Sequence, residues 1–149
     1  MRALLQRVTR AEVRVAGSSV AEIGLGVVAL VGVGHGDDEA AADALSRRIV
    51  ELRIFRDEAG KTNRSLLDVA GGVIVVSQFT LFADTARGRR PGFTEAAEPE
   101  LANRLYERVA TRLREAGVTP VGTGQFGAQM AVELVNDGPF TLWLDTGPR

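Results

Sequence analysis

Two apolar runs, each preceded by glycine, limit what this chain can fold into. Residues 27–33 read Val-Val-Ala-Leu-Val-Gly-Val, and residues 73–76 read Val-Ile-Val-Val. Neither run alternates with polar residues, so each predicts a strand that is covered on both faces. Such strands need a packed layer on either side, which favours helices lying against a sheet.

Two other segments carry helical periodicity. Apolar residues recur at helical spacing from Ala41 to Leu52, and Asp37 or Asp38 can cap that helix. A second helix is predicted over residues 99–116, and the glycine that follows would end it. Alternating or apolar segments predict strands, and polar stretches predict loops. The strands are expected at residues 2–8, 12–15, 20–23, 27–33, 72–78, 130–135 and 140–144, the loops at 56–65 and 83–97, and a loose tail at 147–149.

These elements predict a single α/β domain over residues 1–149, built in layers around two main helices. Cysteine is absent, which excludes disulfides and thiolate chemistry and suits a reducing cytoplasm. The sequence has no apolar run near the ~20 residues that a membrane span needs. We therefore expect a cytoplasmic protein without a membrane partner.

Charge argues against a surface that is basic all over. The net charge is −1, so nucleic-acid binding would depend on a local patch. Every basic side chain except Lys61 is an arginine. Genomic base composition explains this bias as well as selection for bidentate phosphate contacts does.

The residue inventory excludes several catalytic devices. His35 is the only histidine, and we interpret it as a loop residue bonded to nearby backbone rather than as part of a Ser-His-Asp triad. One histidine without cysteine leaves only carboxylates as metal ligands, so no metal and no other cofactor is expected. Thr80 is a possible nucleophile, but the sequence offers it no general base.

Two short segments remain as candidates for function. Ser77-Gln78-Phe79-Thr80 follows a buried strand, where polar groups reach the surface. Gly138-Pro139 lies between two strand-like runs, and proline there has no N–H for a strand ladder and readily takes a cis bond. A tight turn between two strands is the simpler interpretation of Gly138-Pro139 taken by itself.

Together the two segments resemble the signatures of the bacterial-type D-aminoacyl-tRNA deacylases, a family of editing hydrolases. The resemblance extends over about residues 1–145. It is also carried by the segments at residues 1–8, 63–68, 88–91 and 125–128. It implies a curved, mostly antiparallel sheet system with two helices, and a homodimer with active sites at the subunit interface.

The resemblance also implies roles for individual residues. Ser77, Gln78, Phe79 and Thr80 would form the catalytic segment that orients the terminal adenosine of the tRNA. Within it, Gln78 would contact the ribose, Phe79 would present its backbone N–H, and Thr80 would line the pocket. The RNA's own 2′-hydroxyl would assist, so that no side-chain nucleophile is required.

The second segment would supply stereochemical selection. A cis Gly138-Pro139 of one subunit would enter the other's pocket, where its carbonyl oxygens would occupy the space that an L side chain needs. Glycine, without a side chain, would escape this filter. The remaining assignments are to substrate binding and, on exposed loops, to tRNA phosphates. Substrate-binding candidates are Arg7, Met130, Asn136 and Thr141, and tRNA-binding candidates are Lys61, Arg64, Arg87, Arg89 and Arg90.

The expected function is hydrolysis of D-aminoacyl-tRNA, and of glycine mischarged on tRNA, with aminoacyl-tRNA and a second copy of the chain as partners and no DNA. Two alternatives stay open. One is an enzyme of the same scaffold that edits an L-amino acid, and the other is a non-catalytic RNA-binding module. Phe140 departs from the smaller aliphatic residue usual in the family and adjoins the Gly-Pro element.

Overall fold

The computed structural model describes residues 1–147, so Pro148 and Arg149 of the expected tail lie outside the described residues. A curved sheet of six strands carries two helices on one face. A 3₁₀ turn, Phe79–Phe82, follows the sixth strand in chain order. The regular elements are β1 (Arg2–Val15), β2 (Ser18–Ile23), β3 (Gly26–Gly32), α1 (Glu39–Glu51), β4 (Phe55–Arg56), β5 (Thr62–Arg64), β6 (Gly72–Ser77), α2 (Pro99–Glu115), β7 (Val121–Thr123) and β8 (Met130–Asp145).

The sheet order is β2-β1-β3-β6-β7, and β8 pairs with β1 along most of its length. β1 is antiparallel to β2, β3 and β8, whereas β3, β6 and β7 run parallel to one another. β2 approaches β7 so closely that a Cβ on Gly122 would lie 2.8 Å from the Cβ of Ala21. The sheet is therefore nearly closed, and the layered α/β prediction with a curved, mostly antiparallel sheet is confirmed.

The two apolar runs form the centre of the molecule. β3 and β6 pair in parallel, and nearly all their residues are buried. One core lies between the sheet and the helices and contains Leu45, Ile49 and Leu105. A second core lies inside the curve of the sheet, around Val13 and Ile74. Because both sheet faces are covered, neither run shows alternation.

Several predicted boundaries are confirmed and others need correction. Asp38 caps α1 by accepting the N–H of Ala41 at 2.9 Å, as the capping pattern predicts. The strands expected at 2–8 and 12–15 are one strand, because β1 changes partner from β3 to β2 along its length. The loop expected at 56–65 contains the short β4–β5 hairpin.

Candidate active site

The catalytic candidates lie where β6 leaves the sheet. Ser77 is the last residue of β6, and the Gln78 N–H still donates to the carbonyl of Val31 at 2.7 Å. The chain then turns into the 3₁₀ segment that contains Phe79 and Thr80. Here the Gln78 side-chain amide donates to the Thr80 hydroxyl. The first N–H groups of such a turn have no partner within it, so those of Phe79 and Thr80 are not used by the turn itself.

A cleft of ≈ 700 Å³ lies beside this segment, and three stretches of chain line it. One wall is formed by residues 77–79 and a second by residues 96–99. Residues 126–128 form part of the third wall. The cleft is mainly apolar in its lining side chains, as small-molecule sites usually are. Thr80, which the resemblance places in the lining, lies just outside it, and its hydroxyl accepts a hydrogen bond from Gln78, which lines the cleft.

Met130, which the resemblance assigns to substrate binding, lies in the third wall of the cleft. It begins β8 and packs over the loop that precedes Phe126. A Cβ on Gly124 would lie 2.6 Å from the Met130 sulfur, so a side chain at position 124 would require Met130 to shift. Gly124 therefore leaves space for Met130 at this edge of the cleft.

Tyr106 of α2 connects two of these walls. Its hydroxyl lies 3.2 Å from the carbonyl oxygen of Val75 and 3.1 Å from that of Gly124, so it ties β6 to the loop before Phe126. Burial raises the pKa of the Tyr106 hydroxyl, which keeps the group protonated and able to donate. On the outer side, Phe79 meets Phe93 edge to face, with ring centroids 4.9 Å apart.

In the part of the chain that the structure describes, no hydrogen bond joins the hydroxyl of Ser77 or Thr80 to a histidine or a carboxylate. The ring Nε2 of His35 instead lies 2.7 Å from the carbonyl oxygen of Thr94. This is the loop role that the sequence indicates for the single histidine. Within residues 1–147, no group of three or more His, Cys, Asp or Glu side chains is arranged to hold a metal ion. No helix in the same range is long and apolar enough to cross a membrane.

Gly138-Pro139 lies in a bulge of one long strand, not in a turn between two strands. β8 runs from Met130 to Asp145, and its pairing with β1 shifts register at this point. The simpler interpretation as a tight turn is therefore wrong, because β1 holds both flanks of the bulge in one ladder. The Gly138-Pro139 bond is cis, and Gly138 has a φ of 132° that residues with a side chain rarely adopt.

Arg7 braces the bulge from the inside, where it is 2% exposed. Its Nη2 and Nε donate to the carbonyl oxygen of Asp137 at 2.9 and 3.2 Å, and its Nε also lies 3.0 Å from the Asp137 carboxylate. Its Nη1 donates to the carbonyl of Ile54 at 2.5 Å. The ring of Phe140 covers the guanidinium, 4.6 Å from its central carbon. The unusual Phe140 thus belongs to the support of Arg7.

Asn136 and Thr141 flank the bulge on its outer side and bind each other, with Nδ2 of Asn136 donating to Oγ1 of Thr141 at 3.2 Å. Asn136 also accepts the N–H of Phe140 at 2.8 Å. Both side chains meet Gln6 of β1, which we did not single out from the sequence. The sequence held one clue to Gln6, which is its place next to Arg7 in a predicted strand. Successive side chains of a strand point to opposite faces, so Gln6 can contact the bulge from the side opposite to Arg7.

The basic candidates fall into two separate groups. Arg87, Arg89 and Arg90 are exposed at the tip of a hairpin-like loop, which paired hydrogen bonds of 2.8 and 2.9 Å close between Asp84 and Gly92. Residues further along the same loop line the cleft. Lys61 and Arg64 lie on the β4–β5 hairpin instead, and Arg64 donates to the carbonyl of Asp68.

The two signature segments do not meet within one chain. In the part of the chain that the structure describes, no hydrogen bond joins residues 77–80 to residues 136–141, and none of the latter lines the cleft. Large apolar side chains are exposed at both: Phe79 is 52%, Val135 41% and Trp143 50% accessible. Each segment therefore has exposed apolar side chains beside it.

Comparison with known proteins identifies the family. The family model described as D-Tyr-tRNA(Tyr) deacylase matches residues 4–145. The chain is 60% identical to a D-aminoacyl-tRNA deacylase of Thermomicrobium roseum, over 98% of this chain and 94% of that protein. It is 58% identical to the D-aminoacyl-tRNA deacylase of Paracoccus denitrificans, over 100% of this chain and 99% of that one.

Solved structures agree with the fold. The structure titled c-Myc DNA Unwinding Element Binding Protein superposes with a TM-score of 0.93 at 37% identity, covering 99% of this chain and 100% of that one. A probable eukaryotic D-amino acid tRNA deacylase gives a TM-score of 0.83 at 17% identity, over 96% and 97% of the two chains, and supports the fold alone. By the family model and by its close relatives, the chain belongs to the D-aminoacyl-tRNA deacylases, a family of hydrolases.

Proposed function

We propose that this protein hydrolyses the ester bond of D-aminoacyl-tRNA, and of glycine mischarged on tRNA, and releases the free amino acid and the tRNA. The cleft beside residues 77–80 carries this proposal, because it joins exposed polar groups to an apolar pocket of suitable size for a nucleoside. Family membership supports the same reaction, since the curated relatives bear the name D-aminoacyl-tRNA deacylase.

The terminal adenosine of the tRNA would occupy the cleft. Its base would pack against Met130 and the stretch 126–128, and Gln78 would contact the ribose. The ester would then lie next to the 3₁₀ turn at Phe79. Binding energy from the nucleoside would hold the scissile bond in place, which is the main task of a site without a strong side-chain nucleophile.

The proposed chemistry uses water, the substrate and the backbone. Water attacks the ester carbonyl, and the N–H of Phe79 stabilises the negative charge that develops on the carbonyl oxygen. The neighbouring 2′-hydroxyl of the terminal ribose assists proton transfer, and the 3′-oxygen leaves as a hydroxyl. The lone position of His35 beside Thr94 supports a route without histidine. Thr80 would orient Gln78, in keeping with the hydrogen bond between their side chains.

Gly138-Pro139 would select the stereochemistry. We propose that the backbone carbonyls of this bulge lie against the α-carbon of the bound amino acid, where they leave no space for an L side chain. The support is the rigidity of the bulge, which the buried Arg7 holds through the carbonyl of Asp137. A filter made of backbone cannot relax by changing rotamer, and glycine has nothing for it to reject.

The complete site would require two chains. The signature segments are separate within one chain, and each has exposed apolar side chains beside it, including Phe79 and Trp143. A two-fold contact would cover these side chains and would bring the Gly138-Pro139 bulge of one chain to the cleft of the other, twice. Sedimentation at several concentrations tests this, and a stable monomer with full deacylase activity would contradict it.

The exposed basic side chains would bind the phosphates of the tRNA acceptor end. Arg87, Arg89 and Arg90 lie on the loop that lines the cleft, and Lys61 and Arg64 lie on the β4–β5 hairpin. We propose RNA in the cytoplasm, and not duplex DNA, as the partner. The name of the curated relatives, D-aminoacyl-tRNA deacylase, supports RNA as the partner.

The test is release of D-tyrosine from charged tRNA by the purified protein. We expect multiple turnovers by the natural chain and a loss of about tenfold or more in kcat/KM for Gln78→Ala, because the proposed ribose contact disappears. An excess of duplex DNA should not compete at the salt concentration of the assay. Binding of tRNA without any release of amino acid would favour the non-catalytic alternative.

A further inference from the structure

The bulge that carries Gly138-Pro139 is anchored to β1 at two points. Gln6 pairs with Thr141, and Val8 pairs with Asn136. Two steps along β1 therefore correspond to five steps along β8, and the residues between leave the ladder. Where these residues stand depends on how firmly the two anchor points, Asn136 and Thr141, are held.

The hydrogen bonds at the anchors form a chain with one possible polarity. The N–H of Phe140 can only donate, so Asn136 must turn its Oδ1 toward it, at 2.8 Å. The amide nitrogen of Asn136 then faces Gln6 and Thr141 and donates to both. The Thr141 hydroxyl donates a hydrogen bond to Oε1 of Gln6 at 2.5 Å. One oxygen of Gln6 thus accepts from both anchors.

Gln6 and Arg7 hold opposite sides of the same bulge. Successive side chains of a strand point to opposite faces, so the two neighbours reach it from different directions. Arg7 binds the carbonyl of Asp137 from within the core. Gln6 binds the flanks from the partly exposed side. Either residue by itself would leave the bulge free to tilt about the other.

We propose that Gln6 is a positioning residue that determines the stereochemical selectivity of the deacylation. It acts through Asn136 and Thr141, which set the place of Gly138-Pro139, and it does not contact the substrate. This inference rests on the proposed function, because it concerns the filter of that reaction. The feature that matters is an acceptor oxygen at this position, since both anchors present hydrogens to it.

The test compares two replacements of similar size. Gln6→Met removes the acceptor, and Gln6→Glu keeps it. The readout is the ratio of kcat/KM for D-tyrosyl-tRNA to that for L-tyrosyl-tRNA, with kcat and KM determined separately. We expect Gln6→Met to lower the ratio about tenfold or more, mainly by raising kcat/KM for the L substrate, and Gln6→Glu to stay within about threefold of the natural chain. Glu22→Met, at an exposed position of β2, controls for the new side chain.

A second pair of variants tests the polarity of the chain even where Gln6→Met folds poorly. In Asn136→Asp the carboxylate still accepts the Phe140 N–H, and Gln6 can turn its amide nitrogen toward the new oxygen. Combined with Gln6→Glu, it places two carboxylates face to face. We expect each single variant to keep most of the selectivity and the double variant to lose about tenfold more than the product of the single losses.

The outcomes separate this inference from the proposed function. A natural chain that releases neither amino acid overturns both. A selective natural chain whose ratio is unchanged in Gln6→Met, or an additive double variant, overturns the role of Gln6 alone. Loss of turnover for D and L substrates in equal proportion would also overturn it, because a merely structural role would lower both.

Discussion

Replacement of Arg7 by methionine tests how the bulge is held. Methionine keeps the aliphatic stem that fills the core but removes the guanidinium. The carbonyl oxygens of Asp137 and Ile54 then lose their donor, and the Asp137 carboxylate loses its cation. We expect a less stable protein whose Gly138-Pro139 bulge is displaced.

The magnitude follows from the contacts. Breaking a fully buried ion pair by removing one partner costs about 3–5 kcal/mol. The Asp137 side chain is 36% exposed, so solvent screens part of the loss and the lower end applies. We expect the free energy of unfolding to fall by about 3 kcal/mol. For a chain of this length that corresponds to about 6–12 °C in Tm.

Equilibrium unfolding in urea at fixed protein concentration measures this loss. Arg14→Met is the matched control, since it makes the same change on the same strand. Arg14 is 43% exposed and pairs with Glu12 at the surface, so its loss should cost less than about 1 kcal/mol. Adding Asp137→Asn to Arg7→Met should recover part of the stability by removing the unpaired carboxylate. An Arg7→Met protein no less stable than Arg14→Met would refute the bracing role.

Three further outcomes are expected. Gly138→Ala should lower Tm and selectivity, because residue 138 has a φ of 132° and a Cβ there would lie 3.1 Å from Nη2 of Arg7. Calorimetry and the ratio of D- to L-tyrosyl-tRNA hydrolysis measure these effects. Hydrogen bonds from Arg108 and, as a smaller cause, from Arg112 hold the pKa of the Asp43 carboxyl below its usual range. The Asp43 carboxylate therefore stabilises the protein at any pH above the pKa that it has in the unfolded chain. This stabilisation is lost as the pH falls through the pKa of Asp43 in the folded protein. Asp43→Asn should thus be less stable than the natural chain at pH 7, with a gap that closes in strong acid during urea titrations. His35→Ala and added chelator should each leave deacylation within about a hundredfold of normal, since a larger loss would indicate general acid–base or metal catalysis.

Much of the fold follows from local pattern. The two apolar runs predict β3 and β6, because burial on both faces removes alternation. Periodicity and a capping aspartate predict α1. Helix α2 is marked by Pro99 in its first turn and by Gly117 just after its end. These signals depend on neighbours in the chain, so the sequence carries them directly.

What the sequence did not predict depends on pairing between distant strands. β1 continues through residues 9–11 because β8 pairs with it there, although the alternation weakens. The same pairing turns Gly138-Pro139 from an expected turn into a bulge. The role of Gln6 could be inferred only from the structure, because it depends on hydrogen bonds to Asn136 and Thr141. These residues lie 130 and 135 positions further along the chain, respectively.

The most direct test of the central claim is the release of D- and L-tyrosine from the same tRNA under matched conditions. We predict rapid release of D-tyrosine, and of glycine from mischarged tRNA, with L-tyrosyl-tRNA left intact. A purified, folded protein that released L-tyrosine as fast as D-tyrosine would contradict it.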